Sequence, residues 1–353
     1  MQKALKRILS ILVCFELITG TLCGCDKKIY ITTGLEDNQI FKLSGKPLNL
    51  SEMLLVLMTE KNRYEADLGD GIWSNHGATD GSSLEDEIKS KVKAQVAELK
   101  TIELLAEKEK IVLSDTEKEM LREASKEFYG TLLPEEIESL SVTEADVLNL
   151  YTSFYMADKV YEKLTEDVDV EISDEEARVI QFKYIMLTTF TTDENGAIVS
   201  MTEAEKAAQY EKASEALNLL QGGSDFDTVA NSYSESNVID GNMSRATAKE
   251  GIEEAAFSLK SGEISGILET EDGYYIILCV NDYLESETER NKEALREAYK
   301  KDAYDNIYLP FEAEQTFEFN NKIWDGIKFE NYSVVKTTLL YDIYNKWVTP
   351  TEE

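Results

Sequence analysis

Residues 252–280 read IEEAAFSLKSGEISGILETEDGYYIILCV, and this stretch decides the fold. Ile252 to Leu259 combines Glu and Ala with apolar residues at helical spacing, and Ser261-Gly262 closes the helix. Ile264 to Glu269 and Tyr274 to Val280 read as strands, joined by the tight turn Glu271-Asp272-Gly273. Upstream, Phe226 to Tyr233 reads as a short helix, and Thr202 to Leu220 as a longer one stopped by Gly222-Gly223. Before them, Val179 to Leu187 alternates apolar and polar side chains as a strand does, and Thr188 to Ser200 reads as a polar loop around Asn195-Gly196. The order strand, helices, strand, strand predicts a compact α+β domain over residues 175–283, a small mostly antiparallel sheet covered by helices.

The flanks have a different periodicity. Leu50 to Tyr64 has helical spacing, and Leu84, Ile88, Val92, Val96, Leu99 and Ile102 recur at steps of three and four behind Ser83. Ser114 with Glu117 forms a capping box that opens a helix through Phe128, and Thr143 with Asp146 starts another carrying Val147, Leu150, Tyr151 and Val160 on one stripe. Residues 50–174 therefore read as a helical module. Residues 284–353 begin with a charged helix, Glu285 to Ile307. They end in an aromatic-rich tail whose Phe317, Phe319, Trp324, Phe329, Tyr344 and Trp347 call for a return that packs on the N-terminal helical module. Glu36 to Pro47 holds a brief apolar alternation consistent with a small hairpin, and Leu68 to Ser83, with Trp73 and His76, reads as a loop.

The chain opens with a basic start (Lys3, Lys6, Arg7) and an apolar run from Ile8 to Leu22, shorter than the roughly 20 residues of a membrane span. The run ends in Leu22-Cys23-Gly24-Cys25, which resembles the bacterial lipobox. That resemblance implies a signal peptide over residues 1–24, lipid on the Cys25 sulfur, and a tether over residues 25–49. Two acyl chains suffice for stable anchoring where one does not. Export to the outer face of a membrane follows.

Composition narrows the chemistry. The chain has 353 residues and a formal charge of −33; without residues 1–24 the balance is 33 basic against 68 acidic side chains, or −35. Such a field repels nucleic acid. A single histidine, His76, argues against a zinc site and against any histidine-based triad. Of four cysteines, Cys14 and Cys23 leave with the signal and Cys25 carries lipid, so Cys279 has no partner for an intrachain disulfide. Neither a metal nor another cofactor is expected.

The segment Ala255–Gly266, followed by Glu271–Ile277, resembles the second half of a parvulin domain, and Gly222–Ala230 with Tyr233-Ser234-Glu235 resembles the same family's helix and following loop. The arrangement of lipid anchor, helical module, parvulin-like domain and helical return is similar to the PrsA-type foldases, and the helical part to the chaperone module of SurA-like proteins. The resemblance implies peptidyl-prolyl cis-trans isomerisation, acting on unfolded exported polypeptides with X-Pro bonds. It places Tyr184 and Tyr275 where the family usually carries histidines, and Ser236 at its acidic or cysteine position. It places Met186, Met243, Ala248, Ile252 and Phe257 around the proline-binding pocket. A phenol titrates near 10 rather than near neutrality, so the tyrosine pair implies an altered site. Two tyrosines at these places can still make a hydrogen-bonded pair.

Three readings follow: a membrane-anchored foldase with isomerase activity, a non-catalytic holdase on a degenerate parvulin scaffold, and a solute-binding lipoprotein. The last requires a repeated βα pattern that the chain lacks.

Overall fold

The computed structural model describes residues 35, 39–74, 83–194, 196–237 and 240–349. The signal segment, Cys25, His76 and Asn195 lie outside them. In chain order the elements begin with β1 (Gln39–Leu43), β2 (Lys46–Asn49), α1 (Leu50–Leu68), α2 (Leu84–Lys108), α3 (Asp115–Tyr129), α4 (Pro134–Leu140) and α5 (Glu144–Thr165). They continue with α6 (Asp174–Ala177), β3 (Val179–Thr188), β4 (Phe190–Thr192), β5 (Ile198–Ser200), α7 (Glu203–Gln221), α8 (Phe226–Tyr233) and β6 (Asp240–Ser244). The last are α9 (Glu253–Ser258), β7 (Leu268–Glu269), β8 (Gly273–Asn281), α10 (Glu285–Ala313), β9 (Phe317–Phe319), α11 (Asn321–Gly326) and α12 (Leu340–Val348). The architecture is α+β. The described residues up to Asp167 and from Ala303 onward form one compact unit, and Val168–Asp302 forms a second. Among the described residues no helix is long and apolar enough to cross a membrane.

The first unit is built around α1. Residues 51–62 of that helix are all buried, which suits a helix apolar on every side, as Met53 to Met58 is. Helices α2 and α5 pack against it and α3 packs on α5 and α12, and each of the three opens with a reciprocal capping box: Ser83 with Asp86, Ser114 with Glu117, Thr143 with Asp146. The aromatic tail completes this core. Trp324, Phe329, Leu340 and Tyr344 join its main cluster, and the Tyr151 hydroxyl donates to the Leu340 carbonyl at 2.7 Å. Strand β9 pairs antiparallel with β1, with Phe41 opposite Phe319, so chain start and chain end share one small sheet of order β2-β1-β9.

The second unit holds a four-stranded antiparallel sheet of order β6-β3-β8-β7. Strand alternation divides its side chains between two faces. Ile185, Leu187, Tyr274 and Ile276 turn to one side, under Ala213, Ala216 and Leu220 of α7 and Phe226, Val229 and Ala230 of α8. Ile180, Phe182, Tyr184, Met186, Tyr275 and Ile277 turn to the other, where they meet Met243 of β6 and the α9 segment.

Two readings of the sequence are corrected here. The segment 188–200 is not a plain loop, because Phe190–Thr192 and Ile198–Ser200 pair as a short antiparallel hairpin; its three-residue, largely exposed strands leave no hydrophobic alternation to read. The strand expected over Ile264–Glu269 shortens to Leu268–Glu269. Ahead of it the chain still runs beside β8, through an isolated bridge from Ile264 to Leu278. There the Ser265 hydroxyl takes over a ladder position by accepting from the Ile277 N–H at 2.8 Å. The turn before β8 needs glycine, since a Cβ on Gly273 would stand 2.4 Å from the Leu187 carbonyl oxygen.

Candidate active site

The register of β3 on β8 sets Tyr184 opposite Ile277 and Met186 opposite Tyr275, so the two tyrosines are diagonal neighbours on one face. Their ring centroids are 5.8 Å apart at 41°. Around them gather Met243, Ile252 and Phe257, all buried, with Met186 and Ala248 half-buried. The structure therefore brings together every apolar residue that the parvulin resemblance implied for the pocket. Beside Phe257 the surface opens into a depression of about 390 Å³ lined by Arg245, Glu253, Glu254, Phe257 and Ser258.

Ser236 is held against this face by its loop. The Ser234 hydroxyl accepts from the Met186 N–H at 3.2 Å, the Glu235 N–H donates to the Met186 carbonyl at 2.8 Å, and the Glu235 carboxylate accepts from the Thr188 N–H at 2.9 Å. Gln209 of α7 adds a further donor to that carboxylate. With the loop so pinned to the edge of β3, the Ser236 and Tyr184 hydroxyls share a hydrogen bond of 3.1 Å.

The two tyrosine hydroxyls do not bond each other. The Tyr275 hydroxyl instead donates to Asp272 Oδ2 at 3.2 Å and accepts from Lys249 Nζ at 3.1 Å. Diagonal placement sets the rings in tilted contact but sends the hydroxyls to different neighbours. Lys249 and Asp272 also pair with each other. Burial works to raise the Asp272 carboxyl, yet the Lys249 ammonium and the Thr270 hydroxyl outweigh it and hold the group below its ordinary range. Burial likewise works to lower Lys249, and its bonds to Asp272 and Tyr275 leave it raised. Burial pushes the Tyr275 phenol up.

Two guanidinium groups stand near the Phe257 ring, Arg245 4.6 Å and Arg178 5.2 Å from its centroid. Both distances suit cation–π attraction. Arg178 also donates to the Phe257 carbonyl. Arg245 bonds Glu253 at 3.1 Å and pairs with Glu175, fixing the start of α9. Sequence reasoning missed Lys249, Arg178 and Arg245, and met Asp272 only as a turn residue. Among the described residues no group of three His, Cys, Asp or Glu side chains is placed to hold a metal ion.

Residues 186–281 match the family model described as the rotamase, PPIC-type PPIase domain. The chain carries a PPIC-type PPIase domain. The PPIC-type match begins at Met186, just after Tyr184, and includes Ser236, Phe257 and Tyr275. Among solved structures, the chain is similar to the peptidylprolyl isomerase PrsA of Bacillus cereus, with 20% identity, 79% of this chain and 100% of that one covered, and a TM-score of 0.37. It is similar also to PrsA of Bacillus subtilis, with 20% identity, 76% and 96% covered, and a TM-score of 0.24. A structure from the study of SurA-like chaperones of Campylobacter jejuni shares 11% identity, with 80% and 100% covered and a TM-score of 0.26. None of the curated proteins compared matches the chain.

Proposed function

We propose that this protein is an extracytoplasmic foldase, anchored to its membrane through lipid on Cys25, whose PPIC-type domain isomerises X-Pro bonds in unfolded exported polypeptides. What carries the proposal is the apolar cluster of Met186, Met243, Ala248, Ile252 and Phe257 on the sheet face that also bears Tyr184 and Tyr275, within and just ahead of the residues that match the PPIC-type model. Isomerisation faces a barrier of roughly 18–20 kcal/mol, because amide resonance is lost as the bond twists. No covalent intermediate is required. A pocket that grips the proline ring and excludes water favours the twisted amide, and differential binding of that state lowers the barrier. Tyr184, Ser236 and Tyr275 are the polar groups positioned beside such a ring.

A catalytic reading and a holding reading divide on one assay, isomerisation of an X-Pro tetrapeptide by the full chain. Turnover above the uncatalysed rate supports the foldase. Suppression of client aggregation without turnover moves the assignment to a non-catalytic holdase, which the engagement of both tyrosine hydroxyls within the fold favours. For the anchor, Cys25→Ala is expected to release the protein from the membrane fraction or leave the signal uncut; an unchanged membrane-bound product of unchanged mass would refute lipidation.

The site's electrostatics give a pH expectation. Asp272 is lowered, so its stabilising contribution is complete above its unfolded pKa of about 4 and is lost only as pH falls through the still lower folded value. Lys249 is raised, so its contribution is complete below about 10.4 and is lost as pH rises through the higher folded value. Turnover and peptide affinity are accordingly expected to stay flat between about pH 6 and 8, unlike those of a histidine-containing pocket. A bell-shaped profile centred near neutrality would contradict this.

A further inference from the structure

Two pieces of chain meet at the Tyr275 hydroxyl. Lys249 comes from the link between β6 and α9, just before Gly251, whose φ of +84° turns the chain and whose missing Cβ would otherwise lie 2.9 Å from the Glu269 carbonyl oxygen. That close approach sets the link against the end of β7. Asp272 comes from the turn between β7 and β8, where the Thr270 hydroxyl donates to Asp272 Oδ1 at 2.7 Å and the Thr270 N–H to the Gly273 carbonyl at 2.9 Å. With one carboxylate oxygen so fixed, the other faces both Lys249 Nζ and the Tyr275 hydroxyl. The ammonium also sits 5.3 Å from the centroid of the Tyr275 ring.

We infer that Lys249 and Asp272 are positioning residues of the prolyl pocket: they clamp the Tyr275 hydroxyl, one as donor and one as acceptor, and so hold its ring as a fixed wall beside Tyr184. The inference rests on the reading of this pocket as the prolyl site. A phenol bonded both as donor and as acceptor cannot swing about its Cα–Cβ bond without losing both partners, and its own hydrogen is committed to Asp272. The ring is therefore preorganised, and a peptide that binds against it does not have to order it. Both clamp residues keep exposed surface, so their work is done on the ring and not in the core. Because the wall touches substrate before and during the twist, its loss weakens binding of both states and raises KM more than it lowers kcat.

The test uses the full chain carrying Lys249→Met, Asp272→Asn, Tyr275→Phe, the double Lys249→Met/Tyr275→Phe, and Lys206→Met on α7 as a control. KM and kcat are measured on an X-Pro tetrapeptide, Kd for the same peptide by calorimetry, and the ring signals of Tyr275 by NMR on tyrosine-labelled protein. Lys249→Met and Tyr275→Phe should each raise KM and Kd by up to about tenfold with kcat little changed, and the double variant should be no worse than either single one. Lys206→Met should match wild type. Effects that multiply in the double variant, or a Lys249→Met protein with wild-type KM, would overturn the clamp. If the wild-type chain shows no turnover, the isomerase reading falls by itself and the Tyr275 ring then decides the clamp. A shifted, faster-flipping ring in Lys249→Met supports it, and an unchanged ring refutes it.

Discussion

Phe257→Ala is expected to remove most isomerase activity, by on the order of a hundredfold, and to destabilise the second unit by about 3–5 kcal/mol. The side chain is 5% exposed and packs with Ile180, Met243, Ile252, Ala256 and Tyr275, so truncation leaves a cavity between α9 and the sheet. The two guanidinium groups beside the ring lose their partner as well, at about 0.5–1 kcal/mol each. Stability and grip are separable with Phe257→Leu, which roughly conserves volume and should cost less than about 1.5 kcal/mol. If the aromatic face itself holds the proline ring, Phe257→Leu loses activity while amide exchange at Ile180 and Ile277 stays protected. Retention of both activity and exchange protection in Phe257→Ala would mean that the proline ring binds elsewhere.

The sequence spoke clearly wherever one periodicity ran long enough. Val179 to Leu187, the helices opened by Ser83, Ser114 and Thr143, and the strand after Gly273 all carry their own period, and all stand where it puts them. What escaped was structure made by distant pairing. Phe317-Glu318-Phe319 is too short to announce a strand, and becomes one because Phe41 and Leu43 offer it an edge. Helix α4 is equally quiet, yet its Glu136 accepts from the N–H groups of Lys336 and Thr337 and ties down the C-terminal segment. The pocket divides the same way. Its apolar residues came from the parvulin resemblance, matched position by position, whereas Lys249, Arg178 and Arg245 acquire meaning only when folding sets them against a tyrosine or a phenylalanine. The tyrosine hydroxyls carry the same lesson: their identity was readable, their partners were not.

Glu52 shows how far a single buried charge can shape the first unit. It follows Ser51 in α1, is 3% exposed, and its Oε2 lacks a hydrogen-bond partner. The nearest cation, Lys100, stands 3.9 Å away, and is also bonded to Glu103 at 2.8 Å and to the Ser153 hydroxyl at 3.0 Å. Burial therefore dominates over the attraction of Lys100, with Asp146 and Glu103 adding repulsion, and the carboxyl is pushed up from 4.5 to about 7. The sign follows from proton counting. Below about pH 4.5 both folded and unfolded chains hold this proton, and between there and about pH 7 the folded chain holds it more often. Stability from this group therefore falls as pH rises through that window and is flat above it. Glu52→Gln, which keeps shape without charge, is expected to remove this slope and to stabilise the unit at pH 8 by on the order of 2–3 kcal/mol. Urea unfolding followed by tryptophan fluorescence reads the effect directly, because Trp73, Trp324 and Trp347 all belong to the first unit. Equal pH slopes in wild type and Glu52→Gln between pH 5 and 7.5 would show that Glu52 keeps its charge in the folded core, with Lys100 repaying its desolvation in full.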